Sequence, residues 1–172
     1  MRIIVEDTNI LIDLFNTGLL QFCRKMDIEF HTTDFVVREI KKPEQLSTVK
    51  GLISNKELNM DVFTIDEMLQ LVNLKEECRG TNNLTKADCS VVMLAERLGC
   101  RLLTADQKMV HFAQSRGLEA SGLLWLTDEM VEKGVVRPQD MIVYLDRYLD
   151  SNKRAPEKEV SKRIAQYKNT RK

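Results

Sequence analysis

"MRIIVEDTNILIDLF" (residues 1–15) is the stretch on which the fold turns. Ile3, Ile4 and Val5 form an apolar run too short for a helix and suited to a strand buried on both faces. The run ends on two carboxylates, Glu6 and Asp7, and Thr8 and Asn9 then lead into a second apolar segment with helical spacing. A strand passing through acids into a helix reads as the opening of a β–α unit. Asp7 then either caps the helix or stands at the sheet edge to hold something positive. Adjacent strand residues face opposite ways, so Glu6 is expected to point elsewhere and to play a surface or capping role.

The alternation continues along the chain. Residues 9–17 and 19–25 read as helix, 28–31 as strand, 34–40 as a short helix broken by Pro43, 44–54 as helix and 58–63 as strand. Thr64 and Asp66 introduce a helix reaching Cys78, with Leu69, Val72 and Leu74 among its apolar positions. "GTNN" (80–83) is a polar turn before "LTKADCSVVMLAERLG" (84–99), where Ala87, Val91, Leu94, Ala95 and Leu98 recur at helical spacing and Gly99 is the stop. A strand in "CRLLTAD" (100–106), a helix in "QKMVHFAQSRG" (107–117) and a short strand in "LEAS" (118–121) follow. Helices over 123–132 and 138–149 close the body, with Pro138 placed as a first helical residue. Short strands alternating with longer helices predict an α/β fold around a mostly parallel sheet.

At 172 residues the chain suffices for one domain with a sizeable core. No apolar run approaches the roughly 18 residues of a membrane span, and the N-terminus lacks a signal-peptide pattern. Cys23, Cys78, Cys89 and Cys100 are scattered without a CxxC, which fits reduced structural thiols in a cytoplasmic protein. Formal net charge is zero but uneven: residues 151–172 carry eight Lys or Arg against two Glu, leaving 18 basic and 24 acidic residues in 1–150. The expected division is a body over 1–150 and a basic tail over 151–172, weakly helical around Val160 and Ile164 or mobile. An acidic body is a poor passive binder of nucleic acid; it must recruit cations or repel phosphates.

Four carboxylates fall where α/β proteins place their chemistry: Asp7 at a strand end, Glu39 in the helix "TTDFVVREI" (32–40), Asp88 at a helix start and Asp106 after a strand ending in Thr104. Each has a plain alternative. Asp7 and Asp106 suit N-caps, Glu39 a solvated helix residue, and Asp88 follows Thr85 by three in a capping-box arrangement for which Asp is short. Asp13, six residues past Asp7, is expected on a different face. As a set, clustered carboxylates repel one another unless a divalent cation neutralises them, and all-oxygen donors suit Mg²⁺ or Mn²⁺. His31 and His111 are the only histidines, which argues against zinc. No P-loop, GxGxxG or GxSxG pattern occurs.

"DTNILIDL" (7–14), "TTDFVVREI" (32–40), "LTKADCSVVMLAERLG" (84–99) and "LLTADQKMVHFA" (102–113) together resemble the PIN domain family of metal-dependent ribonucleases. "EASGLLWLTDEMVEKGVV" (119–136) is similar to the closing segment of its prokaryotic, VapC-like toxin branch. The resemblance implies a three-layer α/β/α sandwich with a parallel sheet of four or five strands. It gives Asp7, Glu39, Asp88 and Asp106 metal-binding, catalytic roles with one or two Mg²⁺ or Mn²⁺, and Thr8, Asn9 and Thr104 supporting roles. It further implies an RNA substrate cut by metal-activated water to leave 5′-phosphate and 3′-hydroxyl ends, a homodimer, and a cognate antitoxin as partner. Lys86, Arg38, Lys108 or the tail would contact the RNA backbone. The chain departs from the family in its length, its basic tail and Ala105, where many members carry glycine. The alternative is a non-catalytic PIN-like protein-interaction module.

Overall fold

The structure is a computed structural model that describes residues 2–79 and 83–169. Those residues form five strands and ten helices. In chain order they are β1 (Arg2–Glu6), α1 (Thr8–Thr17), α2 (Leu20–Cys23), β2 (Ile28–Thr33), α3 (Asp34–Glu39), α4 (Pro43–Ser54), β3 (Asn59–Asp61), α5 (Ile65–Glu77) and α6 (Lys86–Leu98). β4 (Arg101–Leu103), α7 (Gln107–Ser115), β5 (Ala120–Ser121), α8 (Leu123–Glu132), α9 (Pro138–Ser151) and α10 (Glu157–Asn169) complete the chain. Most of the "GTNN" turn lies outside the described residues.

The strands make one parallel sheet in the order β3-β2-β1-β4-β5. β1 is central, with Val5 opposite His31 on one side and Leu102 on the other. Right-handed crossovers then dictate the layers. The chain moves one way from β1 to β3, which puts α1, α2 and α4 on one face, and back the other way from β3 to β5, which puts α5 to α7 on the opposite face. The packing agrees: α6 lies against β1, β2 and β4, while α1 packs with α4, α8 and α9; the short α3, which follows β2 directly, touches both α1 and α6. This is the three-layer α/β/α sandwich. Ile4, Val5, Ile10, Leu14, Leu94, Leu102 and Leu103 form its centre, each at most 1% exposed.

Two expectations need correction. Of the apolar positions named for α5, Leu74 is buried but Leu69 and Val72 are exposed, and Leu71 is buried beside Leu74. Glu6 is a core residue rather than a surface one, at 2% exposed. The tail is a docked helix: α10 packs along α9, Val160 and Tyr167 are buried, and Arg163 and Tyr167 both bond to Asp128 of α8. All four cysteines are free. No helix among the described residues is long and apolar enough to cross a membrane.

Candidate functional site

Strand order reverses between β1 and β4, because the chain builds outward from β1 to β3 and then returns to build β4 and β5. At such a switch point the following loops part in opposite directions and leave a crevice beyond the C-terminal strand ends. Asp7 and Thr104 stand at that crevice. Asp7 still belongs to the sheet, its N–H donating to the Leu103 carbonyl at 3.1 Å. Its side chain caps α1, Oδ1 accepting from the Ile10 N–H at 2.8 Å, and Oδ2 accepts from the Thr104 hydroxyl at 2.6 Å. The carboxylate is 2% exposed, and burial pushes it up to about 7. The bonds from Thr104 and Ile10 pull the other way, while the charges of Asp88 and Asp13 add to the rise.

Hydroxyls tie the Asp106 loop and Glu39 to this point, whereas the hydrogen bonds of Asp88 stay within its own helix start. Thr104 Oγ1 also accepts from the Asp106 N–H at 3.1 Å, so one buried threonine bridges Asp7 to the loop that carries Asp106. Asp106 caps α7 by accepting from the Lys108 N–H at 2.7 Å. Glu39 ends α3 on the surface, and the Thr8 hydroxyl, one residue past Asp7, donates to its Oε2 at 3.0 Å. Asp88 completes a full capping box: its Oδ2 accepts from the Thr85 N–H at 2.7 Å, and its own N–H donates to the Thr85 hydroxyl at 3.1 Å. Aspartate is therefore long enough for this box, contrary to expectation. Asn9 is exposed in the first turn of α1.

Capping is thus what Asp7, Asp88 and Asp106 each do, and no three Asp, Glu, His or Cys side chains among the described residues converge as a metal cage. The fit to a divalent cation is one of chemistry and charge. The donors are all oxygen, which suits a hard ion, and the buried Asp7 feels the charge of Asp88 with no cationic side chain among the causes that shift it. The capping bonds occupy part of the carboxylates' accepting capacity and leave further lone pairs on each.

Two acids were underestimated from sequence. Glu6 faces a cavity of about 10 Å³ beside Leu11, Cys23 and Phe30, and its Oε1 has no hydrogen-bond partner among the described residues. Burial, and then the charge of Asp7, push it up to about 8. Asp13 is 3% exposed, with both oxygens bonded at 3.0 Å to the amide of Asn152, and burial pushes it up to about 6. A signal was available for Asp13, since it shares its stripe with Ile10, Leu14 and Thr17, all buried. Beyond it, a cleft of about 730 Å³ runs from Asn9 and Asp106 to the α9–α10 linker.

The sequence model of the PIN domain family matches residues 3–169. No curated protein matches the chain. Among solved structures, the chain is similar to PAE2754 from Pyrobaculum aerophilum, with 14% identity and a TM-score of 0.51 over 73% of this chain and 93% of that one. It is also similar to VapBC2 from Rickettsia felis, solved bound to a DNA fragment from its promoter, with 18% identity and a TM-score of 0.49 over 70% and 98%. At these identities the likeness to PAE2754 is one of fold.

Proposed function

The chain belongs to the PIN domain family, and from that premise we propose that it is a divalent-metal-dependent endoribonuclease. Members of the family are generally nucleases, and the coarse assignment to a phosphodiester hydrolase follows from membership. The observation that carries the finer reading is Asp7, a carboxylate buried at the switch point between β1 and β4 and bridged through Thr104 to the loop of Asp106. Asp7, Asp88 and Asp106 would hold Mg²⁺ or Mn²⁺, with Glu39 joining from the rim. The ion, when bound, would supply a water nucleophile at neutral pH and neutralise charge on the phosphate.

The chain's own residues supply the rest. Thr104 orients Asp7 by donating to one oxygen, a bond that favours the ionised form and opposes the rise that burial imposes. Thr8 holds Glu39 against the first turn of α1. Attack by water rather than by the ribose 2′-hydroxyl leaves 5′-phosphate and 3′-hydroxyl ends. Within the same reading the protein acts in solution, forms a homodimer and is held in check by a cognate antitoxin protein.

The test is incubation of the purified chain with a mixed RNA pool and Mg²⁺ or Mn²⁺, with the ends of the products mapped. The native chain is expected to cut and Asp88→Asn to lose about 100-fold or more of the rate, as removal of a charge-stabilising group does. Asparagine can still accept the Thr85 N–H, so the helix start survives the substitution. Equal cleavage by both would remove Asp88 from the site. No cleavage by the native chain across the pool would favour the interaction-module reading, for which the capping bonds on Asp7, Asp88 and Asp106 are the supporting observation.

A further inference from the structure

The expected contacts to an RNA backbone are narrowed by what each cation touches. Arg38 is paired with Asp34 at 2.8 Å, and Lys86 lies over the Phe35 ring at 5.2 Å. Arg2, Arg79, Arg97, Arg101, Arg116, Arg137 and Arg163 are likewise spent on carboxylates. No lysine among the described residues is held in an ion pair, and neither is Arg154, so what sets Lys108, Lys153 and Arg154 apart is their place: together they line the cleft that begins at Asp106. In a body with an excess of acids, three cations gathered at one cleft are where a polyanion can lie.

The linker that carries two of them is built to stay in place. Asn152 donates to both oxygens of the buried Asp13 at 3.0 Å, and its Oδ1 accepts from the Arg154 N–H at 2.9 Å, an Asx turn that sets the path of the next two residues. α9 enters the linker with Tyr148 buried, and α10 leaves it with Val160 at 0% exposed. Lys153 and Arg154 are exposed at the crest between these anchors.

We propose that the cleft between α1, the start of α7 and the α9–α10 linker is the channel for a single-stranded RNA on one side of the carboxylates, with Lys108, Lys153 and Arg154 each receiving a backbone phosphate. The proposal rests on the nuclease reading for its substrate but not for its binding. Asn9 and Asn16 also line the cleft and carry amides suited to a 2′-hydroxyl or a base edge, the Asn16 Oδ1 already accepting from Gln45 at 3.3 Å. The basic tail thereby acquires a definite task. Its first two cations bring substrate to a site whose own charge repels it.

The test uses the full chain and a fluorescent single-stranded oligoribonucleotide, with anisotropy followed against salt concentration in Mg²⁺. The double variant Lys153→Ala, Arg154→Ala is expected to weaken binding roughly tenfold and to reduce the slope of log K against log salt by about 1.4, two phosphates at ~0.7 each. Lys158→Ala with Lys168→Ala removes the same charge from α10 outside the cleft and is expected to change affinity less than about twofold. In cleavage the linker variant raises KM and leaves kcat unchanged. Equal losses from the two double variants, or an unchanged salt slope, would overturn the proposal, as would binding of polyglutamate in place of RNA. RNA bound through the cleft but never cut would retain the channel while refuting the nuclease.

Discussion

Asn152→Ala removes both hydrogen bonds that the Asp13 carboxylate accepts among the described residues and exposes a pH dependence whose sign is fixed beforehand. With Asn152 in place Asp13 is 3% exposed, so that amide, rather than water, solvates its charge. A hydrogen bond to a charged group contributes about 1.5–3 kcal/mol, and one to a neutral acid about 0.5–1.5 kcal/mol. The native form holds Asp13 up to about 6, above its ordinary 3.8, with burial as the cause and Asn152 moderating it. A carboxyl raised on folding favours the folded state at low pH and withdraws that support as pH climbs from the unfolded to the folded value. Without Asn152 the folded value rises further, so the variant goes on losing stability above about 6 where the native chain has levelled off. The variant is therefore expected to lie about 1 kcal/mol below native near pH 5 and about 2–3 kcal/mol below near pH 8. For a chain of this size the larger gap is roughly 4–12 °C in Tm. Thermal and urea unfolding at the two pH values, in chelator, measure it. A loss equal at both, or larger in acid, would refute the burial argument for Asp13.

Three other perturbations separate local causes. Thr104→Val leaves the Asp106 N–H without its acceptor and Asp7 Oδ2 without its hydroxyl donor, and is expected to cost about 2 kcal/mol in urea unfolding. Gly99→Ala meets no neighbour within 4 Å but forces a Cβ into φ +59°, so about 1 kcal/mol is expected from backbone strain alone, with no change in RNA cleavage. Val160→Ala opens a gap under α10 at a fully buried position; about 1–2 kcal/mol is expected, with protease cutting appearing first in the α9–α10 linker.

The elements were legible in sequence where a local period and a local stop agree. Thr64 and Thr85 start their helices, Gly99 ends one in the left-handed conformation, and β1 runs from Arg2 to Glu6 as the apolar run predicts. What was not legible required knowing which face meets the sheet. α5 carries two apolar stripes, Ile65–Leu69–Val72 and Leu71–Leu74, and the period is satisfied by either; only packing against α6 chose the second. Glu6 was misplaced for a related reason. A charged residue at a strand end was expected to turn to water although the run itself reads as buried on both faces, but β1 has strands on both sides and its last three residues, Ile4, Val5 and Glu6, are all buried.

The candidate site shows the same limit in a sharper form. Cap and ligand were weighed as alternatives for Asp7, Asp88 and Asp106, yet a carboxylate oxygen that accepts one N–H retains a lone pair, so the two roles are compatible. The bonds that make these residues caps also fix where their remaining lone pairs lie: Asp7 by the Ile10 N–H and the Thr104 hydroxyl, Asp88 by the Thr85 N–H, Asp106 by the Lys108 N–H. Helix starts are where a parallel sheet collects backbone N–H groups at one edge, and acids are the residues best able to use them. The local signal for a cap and the long-range signal for a site therefore fall on the same residues. Only the pairs far apart in sequence, Asp7 with Thr104 and Asp13 with Asn152, show that these caps border one crevice and one cleft.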